Sequence, residues 1–134
     1  MTQVAATGSP AYTETLPRLP EAATAARLLV TLALAVWNLD ALTDDAKLIV
    51  TELVANAADH ARGDSIRVTV TRLDEYCVHI AVVDKSRAQP RLREAGPDEV
   101  AGRGLAMVEA LSSKWGADPL PWGKRVWAEL EAAS

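Results

Sequence analysis

The sequence reads as a two-layer α/β sandwich: a mixed, mostly antiparallel sheet covered on one face by about three helices. Three patterns carry this expectation. Apolar residues recur at helical spacing over residues 25–37 and again at Ile49, Leu53 and Ala57. Strict alternation follows at Ile66, Val68 and Val70, at Val78, Ile80 and Val82, and at Val126, Ala128 and Leu130. Each of these strands has one solidly aliphatic face, as expected of a sheet with helices on one side. Two helices, a hairpin, a third helix and a final hairpin complete the order.

The first ten residues, MTQVAATGSP, have no period and little bulk, so a disordered tail is expected at 1–10 and one folded domain over 11–134. Residues 11–16 suit a short edge strand, which Pro17 and Pro20 stop. A helix then begins near Glu21 and ends near Trp37, with Ala25, Leu28, Leu29, Leu32, Ala33, Val36 and Trp37 as its apolar stripe. Asp40 to Thr43 form a turn. Thr43 is placed to cap the second helix, and Asp44 and Asp45 suit its positive end. That helix runs to about Ala61; His60 and Arg62 favour its carboxyl end, and Gly63 terminates it. Asp74-Glu75 turns the chain between the next two strands. Residues 85–101 mix charge with Pro and Gly and read as a mobile loop. Gly102-Arg103-Gly104 starts the third helix, whose stripe is Leu105, Val108 and Leu111, and two strands are expected over 115–119 and 124–131.

A length of 134 residues suits a single domain with its own core. Hydrophobic residues make up 49% and charged residues 24%, which excludes disorder and fibrous repeats for the bulk of the chain. The core must be aliphatic and tryptophan-filled, because the chain has no phenylalanine. A net charge of −4 argues against a phosphate-backbone binder, so no direct nucleic-acid contact is expected. A lone cysteine, Cys77, excludes an internal disulfide, and the amino terminus lacks the marks of a signal peptide, so a cytoplasmic location is expected. The longest apolar stretch, Leu28 to Trp37, is too short to cross a membrane.

Four groups of residues are candidates for chemistry. Glu52, Asn56 and His60 are spaced four apart and share one side of the second helix, beside the apolar stripe. They form either a solvated face or the wall of a cleft, in which an amide oxygen holds a hard cation and a carboxylate accepts a proton. Asp84 ends its strand on the covered face. It is either a turn starter or a buried acceptor that needs a donor, such as a ligand amino group. Gly102 and Gly104 flank Arg103 at a helix start: an ordinary flexible lead-in, or a backbone that approaches an anion with the Arg103 guanidinium beside it. Cys77 reads as an inert strand residue, His79 as an exposed or rim residue, and Trp37, Trp115, Trp122 and Trp127 as packing groups.

Taken in order, ELVANAADHA at 52–61, VVDKS at 82–86 and AGRGLAMVEAL at 101–111 resemble the three ATP-binding boxes of the GHKL, or Bergerat-fold, ATPase and kinase superfamily. Together with the ending WGADPLPWGKRVWAEL, they look most like actinobacterial anti-sigma factor serine/threonine kinases. The resemblance covers roughly residues 12–131. It implies ATP and Mg2+ as cofactors, with Asn56 on the magnesium ion, Glu52 as general base and Asp84 accepting from the adenine amino group. It further implies Gly102 and Gly104 in the phosphate lid, Arg103 near the terminal phosphates, and His60 at a recurring position in the nucleotide site. The implied partners are a sigma factor and an anti-anti-sigma (STAS-type) protein, with a homodimer as a compatible assembly and no membrane. The family's Asp-x-Gly-x-Gly box reads Asp84-Lys85-Ser86-Arg87-Ala88, without either glycine. The alternative reading is a non-catalytic nucleotide- or protein-binding module of the same fold. The ATPase domain of a histidine kinase is disfavoured, since no phosphoacceptor helix is expected before residue 12.

Overall fold

The structure, a computed structural model, describes residues 2–4, 10–60, 64–85 and 100–133, with side chains for 10–57, 64–85 and 105–133. In chain order the elements are β1 (Thr2–Val4), β2 (Pro10–Pro17), α1 (Ala22–Val36), a 3-10 turn (Asp40–Leu42), α2 (Thr43–His60), β3 (Ser65–Arg72), β4 (Cys77–Asp84), α3 (Val100–Leu111), β5 (Lys114–Leu120) and β6 (Gly123–Glu131). The strands form one six-stranded sheet in the order β1-β2-β3-β4-β6-β5. It is an α/β sandwich of the expected class. The sheet is antiparallel at every pairing among the described residues rather than mixed. The reason is topological: α3 carries the chain past β6 to the edge, and the final hairpin then turns β6 back against β4.

Period two decides which side chains are buried. Leu16 of β2 pairs with Ile66, and the rows Val68–Val82–Val126 and Val70–Ile80–Ala128 run across β3, β4 and β6. These residues form the core with Ala26, Val30 and Leu34 of α1, Ile49, Val50, Leu53 and Val54 of α2, and Val108 of α3. Burying an aliphatic side chain of this size stabilises by about 1.5–3 kcal/mol, so the shared face is what fixes strand register. α2 packs against α1, α3 and β4 and so forms the centre of the helical layer. The Arg27 guanidinium donates to the Thr51 hydroxyl at 3.1 Å, tying α1 to α2.

Several local expectations change. Residues 2–4, assigned above to a disordered tail, are strand β1, with Thr2 opposite Tyr12 and Val4 opposite Pro10. An unpaired sheet edge supplies the backbone partners that the apolar-poor sequence cannot supply from side chains. Residues 1 and 5–9 lie outside the described residues, as does 86–99 of the expected loop. α1 is terminated by Asn38 in the left-handed region, φ 57°, a position where asparagine substitutes for glycine. Of the tryptophans, Trp37 is buried and packs on Tyr12 with ring centroids 5.5 Å apart, whereas Trp122 is more than half exposed and lies outside the core.

The opposite sheet face is polar and aromatic. Thr13 and Thr69 share a hydroxyl hydrogen bond of 3.1 Å across β2 and β3. His79, expected at a rim, stacks on Trp127 at 5.2 Å and meets Glu129 through Nδ1 at 3.1 Å. Trp127 lies over Gly116, where a Cβ would come within 2.9 Å of its ring. Cys77 is buried, and its thiol is pushed up to about 11 by burial and by the nearby carboxylates of Glu129, Asp74 and Glu131, so it is inert as a nucleophile near neutral pH.

Candidate functional site

α2 brings Glu52 and Asn56 to the border of the core. The helix forms because Asp44 and Asp45 oppose its dipole and because Ile49, Leu53 and Ala57 bury one stripe. Glu52, one turn before Asn56, is half-buried, and that burial raises its carboxyl above the ordinary value of 4.5. Asn56 is buried, and its Oδ1 has no hydrogen-bond partner among the described residues. A solvated helix face shows neither property. An amide oxygen without a partner is costly in a protein interior, and it is the donor type that a hard divalent cation takes. Asn56 therefore fits Mg2+. His60 is the last residue of α2, and its side chain lies outside the described residues.

β4 delivers Asp84. The alternation that buries Val78, Ile80 and Val82 carries Asp84 to the same face at the strand's end, where it is 1% exposed. Directly opposite, at the start of β6, stands Lys124, also 1% exposed. Burial pulls its ammonium below the usual lysine value, and the Asp84 charge opposes that fall. Gly123 makes the juxtaposition possible, since a Cβ at that position would overlap the Asp84 carbonyl oxygen. Asp84 is thus a buried carboxylate at the strand's end, with one charged neighbour supplied by the protein itself and with its Oδ2 lacking a hydrogen-bond partner among the described residues.

α3 begins at Val100, two residues before Gly102, so Gly102-Arg103-Gly104 lies in its opening turns rather than ahead of them. The backbone amides of that first turn have no partner within the helix and carry its positive end. The Arg103 side chain lies outside the described residues. α2 packs on both β4 and α3 and so stands between the motifs: carboxylate and amide on α2 itself, a buried carboxylate at the end of β4, and the helix-start amides of α3. Among the described residues no group of three or more His, Cys, Asp or Glu is placed to hold a metal.

A family model for the histidine kinase-like ATPase domain matches residues 16–128. The chain belongs to that family. It is therefore a nucleotide-binding module of the GHKL superfamily, and its sandwich is the ATPase fold of that group. Among curated proteins no match is found. Glu52, Asn56 and Asp84 were singled out from the sequence, whereas Lys124 and Gly123, which the structure sets beside Asp84, were not. The signal for Lys124 was present: it shares the parity of Val126, Ala128 and Leu130, so the last strand's alternation places it on the core face. No helix among the described residues is long and apolar enough to cross a membrane.

Proposed function

We propose that this domain binds Mg·ATP and transfers the terminal phosphoryl group to a serine or threonine of a STAS-type anti-anti-sigma protein, while its folded surface sequesters a sigma factor. The observation that carries the kinase reading is the pairing on α2 of a carboxylate made more basic by burial with a buried amide oxygen one turn away that has no hydrogen-bond partner among the described residues. Asn56 would hold the cation, and the chemistry supplied by Mg2+ there is partial neutralisation of the triphosphate. Asp84 accepts from the base's amino group and fixes the nucleotide at the sheet end. The amides at the start of α3 hold the phosphates. Glu52 orients the acceptor hydroxyl and takes its proton. As the hydroxyl oxygen bonds to the γ-phosphorus, the bond from that phosphorus to the bridging oxygen breaks, and ADP departs with the electron pair. Positioning and charge neutralisation dominate this reaction class, so a small set of residues is chemically sufficient.

Incubation with γ-labelled ATP, Mg2+ and candidate STAS-type proteins tests the reading. Label on a serine or threonine of one of them is expected. ATP that binds without labelling any of them would select instead the non-catalytic module, the reading that the absent box glycines at Ser86 and Ala88 favour.

A further inference from the structure

The sheet face turned away from the helices has no part in the reaction just described, and its charges are sorted by end. Strand register sets Thr15, Arg67, Val83, Arg125 and Asp118 in one row across β2, β3, β4, β6 and β5, with Lys85 beside it. Only Asp118 opposes the cations of that row, through its 2.7 Å ion pair with Arg125. The next row on the same face, Thr13, Thr69, Ala81, Trp127 and Gly116, carries no charge. At the far end Glu129 and Glu131 of β6 join Asp74 and Glu75 of the turn between β3 and β4, and only Lys114 opposes them. Asp74, Glu129 and Glu131 stand close enough together to act jointly on the Cys77 thiol. Each end also holds a hollow. One of about 120 Å³ is lined by Arg67, Lys85 and the exposed Trp122, and one of about 430 Å³ by Asp74, Glu75, Tyr76 and Glu131.

Gathering like charges at each end builds repulsion that mixing them would relieve, and a face that meets only water gains nothing from it. A uniformly acidic or uniformly basic partner would be repelled at one end. A face with opposite charges at its two ends and a neutral row between them is instead its own complement under two-fold rotation. The middle row adds a donor, Trp127 Nε1, which is buried with no hydrogen-bond partner among the described residues. We propose that this face is the contact between two copies of the chain, packed sheet to sheet about a two-fold axis that runs along the uncharged row. Arg67 and Lys85 of each copy then meet Glu75 and Glu131 of the other. Area sets the strength of the contact. About 20 Å along the strands by four strand spacings gives on the order of 400 Å² per copy, before the rim side chains Trp122 and Tyr76 are added. A standard interface buries about 800 Å² per partner, so the dimer is weak and concentration-dependent, with a dissociation constant on the order of 10 µM. The contact stands apart from the nucleotide reading of the site.

Sedimentation velocity of the intact protein, over concentrations that bracket that constant, tests the assignment. Wild type should pass from monomer to dimer. The midpoint should rise about tenfold or more between 0.1 and 1 M NaCl, where the screening length falls from about 10 Å to about 3 Å. The double variants Arg67→Glu/Lys85→Glu and Glu75→Lys/Glu131→Lys, each with wild-type circular dichroism, should stay monomeric alone. Mixed in equal amounts they should form a dimer, because each reversed end then meets its opposite and the two unchanged ends still match. A wild type that stays monomeric, or a dimer indifferent to salt, overturns the proposal without any variant. A dimer that survives in both variants overturns the choice of face. Loss of the dimer in each variant with no recovery on mixing overturns the pairing of basic end with acidic end.

Discussion

The two ends of the candidate site solve the problem of a polar group at the core border differently. At the sheet end, Asp84 is sealed from solvent and answered by a charge from the neighbouring strand, Lys124. On α2, Asn56 is buried with no hydrogen-bond partner for its Oδ1 among the described residues, and Glu52 is half-buried, which raises its carboxyl. The first arrangement is fixed by strand register, although Asp84 Oδ2, like Asn56 Oδ1, has no hydrogen-bond partner among the described residues. The second is completed by what binds, as expected of groups that hold a cation and move a proton. A pair fixed by strand register and a pair left open on a helix differ in how much the fold alone supplies.

The largest expected effect breaks the sheet end. Lys124→Met removes one ion and leaves the Asp84 carboxylate buried without it, which should destabilise the domain by about 3–5 kcal/mol in denaturant titration. Adding Asp84→Asn should recover most of that loss, since the uncompensated charge is then gone. If the single variant unfolds at the same denaturant concentration as wild type, the two side chains are not energetically joined.

Next comes the reacting end. Glu52→Gln should lower phosphoryl transfer to the partner protein by roughly a hundredfold or more while ATP affinity changes little. The wild-type rate should rise with pH through a midpoint above 4.5, because burial raises the carboxyl and the base works only when ionised. The glutamine variant should lack that limb. A limb of the same midpoint in both proteins would assign the proton transfer elsewhere.

Smaller still is the effect expected at the cation. Asn56→Ala should erase the Mg2+ dependence of ATP affinity, a change of about tenfold or less given that Mg2+ takes most of its ligands from phosphate and water. ADP binding without metal should move less. An unchanged Mg2+ titration would return Asn56 to a packing role.

The contrast between the two ends also governs what could be read from the sequence. The sheet was legible because period two carries all of a strand's information in its parity: the row from Val78 to Asp84 follows from alternation alone, and so does the core placement of Lys124. What parity cannot give is pairing. That Asp84 faces Lys124 depends on α3 carrying the chain to the far edge so that β6 lies against β4, forty residues later in the chain. On α2 the polar stripe of Glu52 and Asn56 was visible, but spacing does not distinguish a wet face from a cleft wall; only the buried Oδ1 does. The helix start at Gly102 was misplaced by two residues, because glycines signal chain breaks in isolation and α3 accommodates them inside its opening turns. Strand β1 left no mark in a tail with little apolar content, because its partners are backbone atoms of β2.

If α2, the end of β4 and the start of α3 together hold an adenine nucleotide, Asp84 carries its recognition. Titration of wild type and Asp84→Asn with ATP in the presence of Mg2+, followed by calorimetry, tests it most directly. The variant keeps shape and hydrogen-bonding volume but replaces a charged acceptor with an amide. The account predicts saturable binding at one site in wild type and an affinity at least about tenfold lower in the variant. Equal affinity of the two proteins, or no saturable ATP binding by the wild type, would contradict it.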